Sequence, residues 1–105
     1  MVVVETQVFT RVAARLLADE DLRQLQIALV LRPGQGTLIK GAHGLRKLRW
    51  GRSGRGKRGD LRVFYFWDAP ASCLYLLYAI EKSRQADLTR DQLRELGRIV
   101  REELR

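Results

Sequence analysis

Positive charge is concentrated between positions 46 and 62 of this chain of 105 residues. Eight Lys or Arg side chains lie there against one acid, Asp60, so the segment carries +7 of the formal net charge of +8. The cations are Arg46, Lys47, Arg49, Arg52, Arg55, Lys57, Arg58 and Arg62. A fixed basic surface of this kind is typical of a protein that binds a polyanion, most often nucleic acid.

The order of residues around these cations is that of β-strands. Successive side chains of a strand point to opposite faces, so Lys47 and Arg49 share one face while Arg46 lies on the other. In the next strand Arg62 shares a face with Phe64. A charge among apolar neighbours is costly unless it is paired or faces a ligand. Solvated cations on a strand face are also ordinary, so alternation alone leaves phosphate contact and solvation both open.

Other chemistry is poorly supported by the residues present. The single histidine, His43, lies in a glycine turn, and the single cysteine, Cys73, begins an apolar strand that predicts a buried thiol. A histidine-pair ribonuclease is therefore excluded, and neither a metal site nor any cofactor is expected. The glycines of the basic segment match no nucleotide-binding or nucleophile motif.

Lysines and arginines without histidine or metal can still support one reaction on RNA. Attack of a 2′-hydroxyl on its own phosphate needs in-line geometry, a base and compensation of negative charge on the phosphoryl group. Arginines supply the compensation. We hypothesise that Lys47 serves as the base, because neighbouring cations favour the neutral form of a lysine. Non-catalytic RNA or DNA binding and a structural role on the ribosome are the alternatives.

Hydrophobic periodicity predicts one α+β domain that spans residues 1–105, with helices packed on a mostly antiparallel sheet. A short strand, two N-terminal helices, four further strands and a C-terminal helix are expected. The predicted strands are 2–5, 37–40, 45–51, 61–68 and 73–80, and the first two helices are 7–17 and 19–31. A meander is the simplest topology for the last four strands. A capping box at Thr89 to Gln92 begins the last helix.

The chain is expected to be cytoplasmic and without a membrane partner. Its first residues lack a basic segment followed by a long apolar one, and its longest apolar run is far shorter than the ~20 residues of a bilayer span. Attraction to a membrane surface would favour a basic amphipathic helix, whereas these cations lie on strands and a loop.

Three segments together resemble the RelE/HigB superfamily of type II toxin–antitoxin toxins, most closely its HigB-like branch with a long basic loop. The segments are residues 44–50, 54–66 and 76–89, and the order of elements agrees over nearly the whole chain. The resemblance implies a RelE-like fold and a metal-independent, ribosome-dependent mRNA endonuclease that inhibits translation and growth. It also implies partners: the ribosome, mRNA, and a cognate antitoxin of the HigA-like, DNA-binding kind.

The resemblance further implies roles for particular residues. The paired basic positions of the family's sheet correspond to Lys47 and Arg49, and its arginine before the aromatic strand corresponds to Arg62. Lys82 matches a further catalytic position loosely. Leu88 occupies the neighbourhood of the family's C-terminal tyrosine, and the histidine-rich HigB site is absent. RNA contacts are expected from Arg46, Arg52, Arg55, Lys57, Arg58 and Arg84, while Glu81 either assists proton transfer or pairs with a neighbour.

Overall fold

A β-sheet of five strands forms the centre of the structure, a computed structural model that describes residues 1–52 and 60–105. The elements in chain order are β1 (Val2–Glu5), α1 (Gln7–Leu16), α2 (Asp19–Leu31), β2 (Thr37–Leu38), β3 (Leu45–Trp50), β4 (Leu61–Asp68), β5 (Cys73–Glu81) and α3 (Arg90–Ile99). The spatial order is β1-β5-β4-β3-β2. Strands β2 to β5 form an antiparallel meander, and β1 pairs with β5 in parallel. The predicted α+β fold is confirmed.

Both faces of the sheet are covered by helices, which explains why the central strands are apolar on both sides. On one face Val63, Tyr65 and Leu76 pack in a core with Phe9 of α1 and Leu29 of α2. On the other face a second core joins the sheet to α3, and it contains Leu45, Phe64, Phe66, Leu77, Ile80 and Leu96. Cys73 is buried, as predicted.

The helices begin where the sequence predicts. Thr6 caps α1, since its side chain accepts a hydrogen bond from Phe9 N at 3.1 Å. Three acids stand in the first turn of α2, where negative charge is favourable, and Thr89 and Gln92 form the predicted capping box of α3. None of the helices in residues 1–52 and 60–105 is long and apolar enough to cross a membrane.

Several element boundaries differ from the prediction, and α1 and β3 each end one residue earlier than expected, at Leu16 and Trp50. Strand β2 ends at Leu38 instead of residue 40, because the chain turns through Gly41 and Gly44, both with positive φ, before β3 begins. Strand β5 extends one residue further, to Glu81. After Ile99 the last helix continues as a π-helical turn, Val100–Leu104. The predicted loop 52–59 lies outside the described residues except for Arg52.

Tyr65 ties the loop after α2 to the sheet. Its buried hydroxyl accepts a hydrogen bond from Gly36 N at 2.8 Å and donates one to Pro33 O at 2.8 Å. A side chain at position 36 would clash, since a Cβ there would lie 2.8 Å from the Tyr65 ring. One phenol therefore satisfies two backbone groups of this loop.

Tyr65→Phe should lower the free energy of unfolding by about 1–3 kcal/mol, because a buried N–H and a carbonyl lose their partner. Urea denaturation monitored by circular dichroism measures the change. Tyr75→Phe is the matched control, since Tyr75 is less buried and stacks on Phe66. Equal losses in the two variants would contradict the role given to the Tyr65 hydroxyl.

Candidate functional site

The register of β3 and β4 brings the predicted cations together on the face that α3 covers. Arg49 lies directly opposite Arg62, and Lys47 lies opposite Phe64. Directly paired side chains of an antiparallel sheet share a face, with Cβ atoms about 5 Å apart. Like charges in that arrangement repel each other. The sheet therefore carries two arginines at directly opposed positions on one face, where nearby negative charge is favourable.

Asp60, the residue before β4, supplies part of that counter-charge. Its Oδ2 accepts a hydrogen bond from Arg49 Nε at 2.8 Å and lies 2.7 Å from Arg49 Nη2. The hydrogen bond from Arg49 lowers the pKa of the Asp60 carboxyl, against an opposing effect of burial, and the charges of Arg62 and Lys82 lower it further. Lys82 is held nearby because its backbone N–H donates to Asp60 O at 3.1 Å.

Asp87, in the loop between β5 and α3, supplies the rest. Lys47 Nζ donates a hydrogen bond to its Oδ2 at 3.1 Å, and Leu88 N donates to its Oδ1 at 2.8 Å. Partial burial alone would raise the pKa of Asp87, but the Leu88 N–H, Lys47 and Arg62 outweigh it, and the pKa lies below its ordinary value. Arg62 thus acts electrostatically on both aspartates.

Arg62 differs from Lys47 and Arg49 in its hydrogen bonding. Its Nη1 is buried, and among the residues that the structure describes it has no hydrogen-bond partner. An unmade hydrogen bond of a buried donor costs about 1–3 kcal/mol. The site therefore contains a buried donor without a partner, near two carboxylates that already accept hydrogen bonds from Arg49 and Lys47.

We call the group formed by Lys47, Arg49, Arg62 and Lys82 the cation cluster. All four predicted catalytic residues belong to it, and Asp60 and Asp87 reduce its charge from +4 to +2. The hypothesis that Lys47 is a base assumed that only cations surround it. That assumption is wrong, because the Asp87 carboxylate is its direct partner.

Two of the arginines predicted to contact RNA make structural contacts within the protein. Arg46 lies on the opposite face of β3 and donates to the carbonyls of Gly34 at 3.0 Å and Gly36 at 2.8 Å. The side chain of Arg52 is 5% exposed and pairs with Glu81 at 3.1 Å. It also donates to Leu16 O at 3.1 Å. The buried Arg52 guanidinium is thus committed to contacts within the protein, which speaks against its predicted RNA contact, while the RNA contact of the partly exposed Arg46 stays a prediction.

The other residues singled out from the sequence lie at the edge of the cation cluster, away from it, or outside the described residues. Arg84 is 85% exposed and lies 3.7 Å from Glu81, so Glu81 pairs with two neighbours, Arg52 and Arg84. His43 stands in the turn before β3, at the end of that strand away from Arg49. Arg55, Lys57 and Arg58 lie outside the described residues, and their predicted RNA contacts stay predictions.

Sequence reasoning missed the role of Asp87. Its partner Lys47 is 40 positions away, and no spacing rule connects the two. No model of a known protein family matches the chain. The resemblance to the RelE/HigB superfamily therefore stays a prediction.

Arg52→Gln should lower the free energy of unfolding by about 3 kcal/mol, because it leaves the half-buried Glu81 carboxylate and the Leu16 carbonyl without their partner. Chemical denaturation at neutral pH measures the loss. Arg84→Gln is the matched control, because it removes an exposed partner of the same carboxylate and should change stability by less than about 0.5 kcal/mol. A stable Arg52→Gln protein with weakened nucleic-acid binding would restore the original prediction.

Asp60→Asn should lower stability in a pH-dependent way. The folded pKa of Asp60 is lowered, so its ion pair contributes fully above the unfolded value of about 3.9. The contribution falls as the pH drops below that value and is lost below the folded pKa. Denaturation of both proteins between acid and neutral pH should therefore give a difference that disappears in acid.

Arg49→Gln provides the control for this titration. In that background Asp60 has lost its main hydrogen-bond donor, so Asp60→Asn should have a smaller effect at neutral pH. An effect of Asp60→Asn that is independent of pH, or unchanged by Arg49→Gln, would contradict the pairing as the source of its stability.

Proposed function

We propose that this protein is the toxin of a type II toxin–antitoxin system and acts as a ribosome-dependent mRNA endonuclease, as its resemblance to RelE/HigB toxins implies. The observation that supports this most is the opposition of Arg49 and Arg62 on adjacent strands, with Lys47 and Lys82 beside them. Two guanidinium groups on a rigid sheet can hold the oxygens of one phosphate from two directions.

The reaction is a transesterification within the RNA. The 2′-oxygen attacks the adjacent phosphorus, its proton passes to a base, and the bond from phosphorus to the 5′-oxygen breaks. The products are a 2′,3′-cyclic phosphate and a 5′-hydroxyl that has taken up a proton. Negative charge grows on the phosphoryl oxygens in the transition state, and fixed donors placed there lower the barrier. Arg49 and Arg62 have the charge and position for that role.

The two aspartates define how a phosphate enters the cluster. Asp60 is nearly buried and contacts the Arg49 guanidinium through two nitrogens. We therefore expect Asp60 to stay bound to Arg49 and orient it when a phosphate enters. The Asp87 side chain is 58% exposed and contacts Lys47 through one oxygen. A phosphate can therefore replace Asp87 at Lys47 at a lower cost. In the bound state Lys47 would contact the phosphate, while Asp60 keeps Arg49 in place.

Dependence on the ribosome follows from the composition of this site. The cluster consists of cations and two carboxylates of low pKa, which are weak proton acceptors. Such a site gains most from a partner that aligns the RNA, since orientation can be worth about 7–11 kcal/mol. We therefore expect slow cleavage of naked RNA. An acidic segment of a HigA-like antitoxin would complement the positive charge.

The second candidate is a non-catalytic protein that binds RNA or DNA or resides on the ribosome. The ion pair of Lys47 favours it, because a cation held by an exposed carboxylate can exchange that carboxylate for a backbone phosphate without any chemistry. Removal of the Arg62 side chain distinguishes the two candidate functions. A nucleic-acid-binding protein would lose one phosphate contact, whereas an enzyme would lose the donor that stabilises its transition state.

Arg62→Ala should abolish growth inhibition when the chain is expressed in a bacterium, with cleavage reduced about 100- to 1,000-fold, as expected for the loss of a transition-state donor. Mapping of transcript ends, with and without the neighbouring gene, measures cleavage and its suppression. Arg94→Ala is the control, because Arg94 is exposed on α3 and pairs only with Asp91 among the described residues.

Cuts confined to translated codons, absent with Arg62→Ala and present with Arg94→Ala, support the proposed function. Growth inhibition without cuts, or binding that Arg62→Ala weakens only slightly with a salt dependence smaller by about one phosphate, would favour the non-catalytic candidate.

A further inference from the structure

A cavity of about 400 Å³ lies between the second half of α1 and the end of β5. Its volume is within the range of about 300–1,000 Å³ that is usual for small-molecule sites. One wall is apolar, and its rim carries two arginines; the residues used below are Val12, Leu16, Tyr78 and Ile80 on the wall and Arg15 and Arg84 on the rim. Of these six residues, only Arg84 was predicted from the sequence to contact RNA.

The cavity borders the cation cluster. Ile80 pairs with Arg62 across β4 and β5, so the backbones of the two residues are one strand spacing apart, about 4.8 Å. Tyr78 pairs with Phe64, the residue that lies opposite Lys47 on the other side. A chain bound at the cluster can therefore continue over the edge of β5 into the cavity.

The rim of the cavity keeps a surplus of positive charge. Glu81 also lines it, but that carboxylate contacts the buried Arg52 at 3.1 Å and is 3.7 Å from Arg84. Arg15 is exposed on the last turn of α1, and among the described residues it takes part in no ion pair. The rim thus carries two exposed guanidinium groups and one carboxylate, whose shorter contact is with the buried Arg52.

Proteins that bind single-stranded nucleic acid combine aromatic side chains with a positively charged groove. Bases stack on aromatic rings, and a positive groove follows the phosphates. We infer that the cavity binds a nucleotide next to the scissile phosphate, with its base against Tyr78 and its phosphate between Arg15 and Arg84. This inference rests on the proposed function, because it takes RNA as the substrate.

The test uses a fluorescent single-stranded oligonucleotide of about ten residues, within the range that one small domain covers. All its sugars carry 2′-O-methyl groups, so it has no attacking hydroxyl and cannot be cleaved. Tyr78→Leu should weaken its binding about 5- to 150-fold, whereas Tyr78→Phe keeps the ring and should bind as the original protein does. Fluorescence anisotropy measures both.

The arginines are tested by the salt dependence of the same binding. Arg15→Gln and Arg84→Gln should each reduce the slope of log affinity against log salt by about 0.7, the value for one phosphate of a single strand. Arg23→Gln is the matched control, because Arg23 is an exposed arginine on α2 that pairs with Glu20. Its slope should equal that of the original protein.

A second measurement does not depend on the stability of the Tyr78→Leu variant. An oligonucleotide with 5-iodouridine at successive positions is irradiated with the unchanged protein, and the crosslinked peptide is identified by mass spectrometry. Crosslinking to Tyr78 from one or two positions supports the inference. Crosslinks only to other residues, or unchanged binding by Tyr78→Leu and both arginine variants, would overturn it.

Failure of this inference can be distinguished from failure of the proposed function. If Arg62→Ala abolishes cleavage while the cavity variants bind normally, the proposed endonuclease function is supported and the proposed nucleotide site is contradicted. If the cavity variants lose binding while no cleavage occurs on translated messages, the nucleotide site stands and the enzymatic proposal is wrong.

Discussion

Repulsion between Arg49 and Arg62 is the constraint on which the site depends. Strand pairing places the two residues directly opposite each other on one face of the sheet, and the backbone hydrogen bonds of the ladder fix their Cβ atoms about 5 Å apart. Nearby carboxylates offset this repulsion. Asp60, the residue before β4, and Asp87, in the loop after β5, supply them. Removing one cation from water without such compensation would cost several kcal/mol. The balance leaves two excess charges on a surface otherwise built from apolar strands.

The cations of the chain serve two different physical purposes. Arg46 joins the loop after α2 to β3 through two backbone carbonyls, and Arg52 joins the end of α1 to the end of β5 through a carbonyl and a partly buried carboxylate. The cation cluster and Arg84 keep part of their surface toward solvent. A net charge of +8 does not distinguish these groups. Only the number and kind of contacts around each guanidinium does so.

Element boundaries were predicted correctly where they depend on neighbouring residues, and incorrectly where they depend on tertiary contacts. The helices at positions 7 and 19 and the strands at 2 and 61 begin as expected, because apolar periodicity and capping residues act within a few positions. Strand β2 is shorter than expected because its end depends on the turn around His43 and on pairing with β3. The apolar stripe of the last helix continues through Val100 to Leu104, but apolar periodicity does not distinguish a π-helical turn from an α-helix.

The sequence alone determined the types of element, the apolar faces of the strands and the common face of Lys47 and Arg49, because these depend on neighbouring residues. It also placed Arg62 in the following strand. Tertiary structure decided which cations face solvent and which acids neutralise them. Lys47 meets Asp87 and Arg52 meets Glu81 only after the sheet has assembled. Such pairs join residues 29 and 40 positions apart, and the distance between them is set by the assembled sheet and its loops, which no short-range spacing rule encodes.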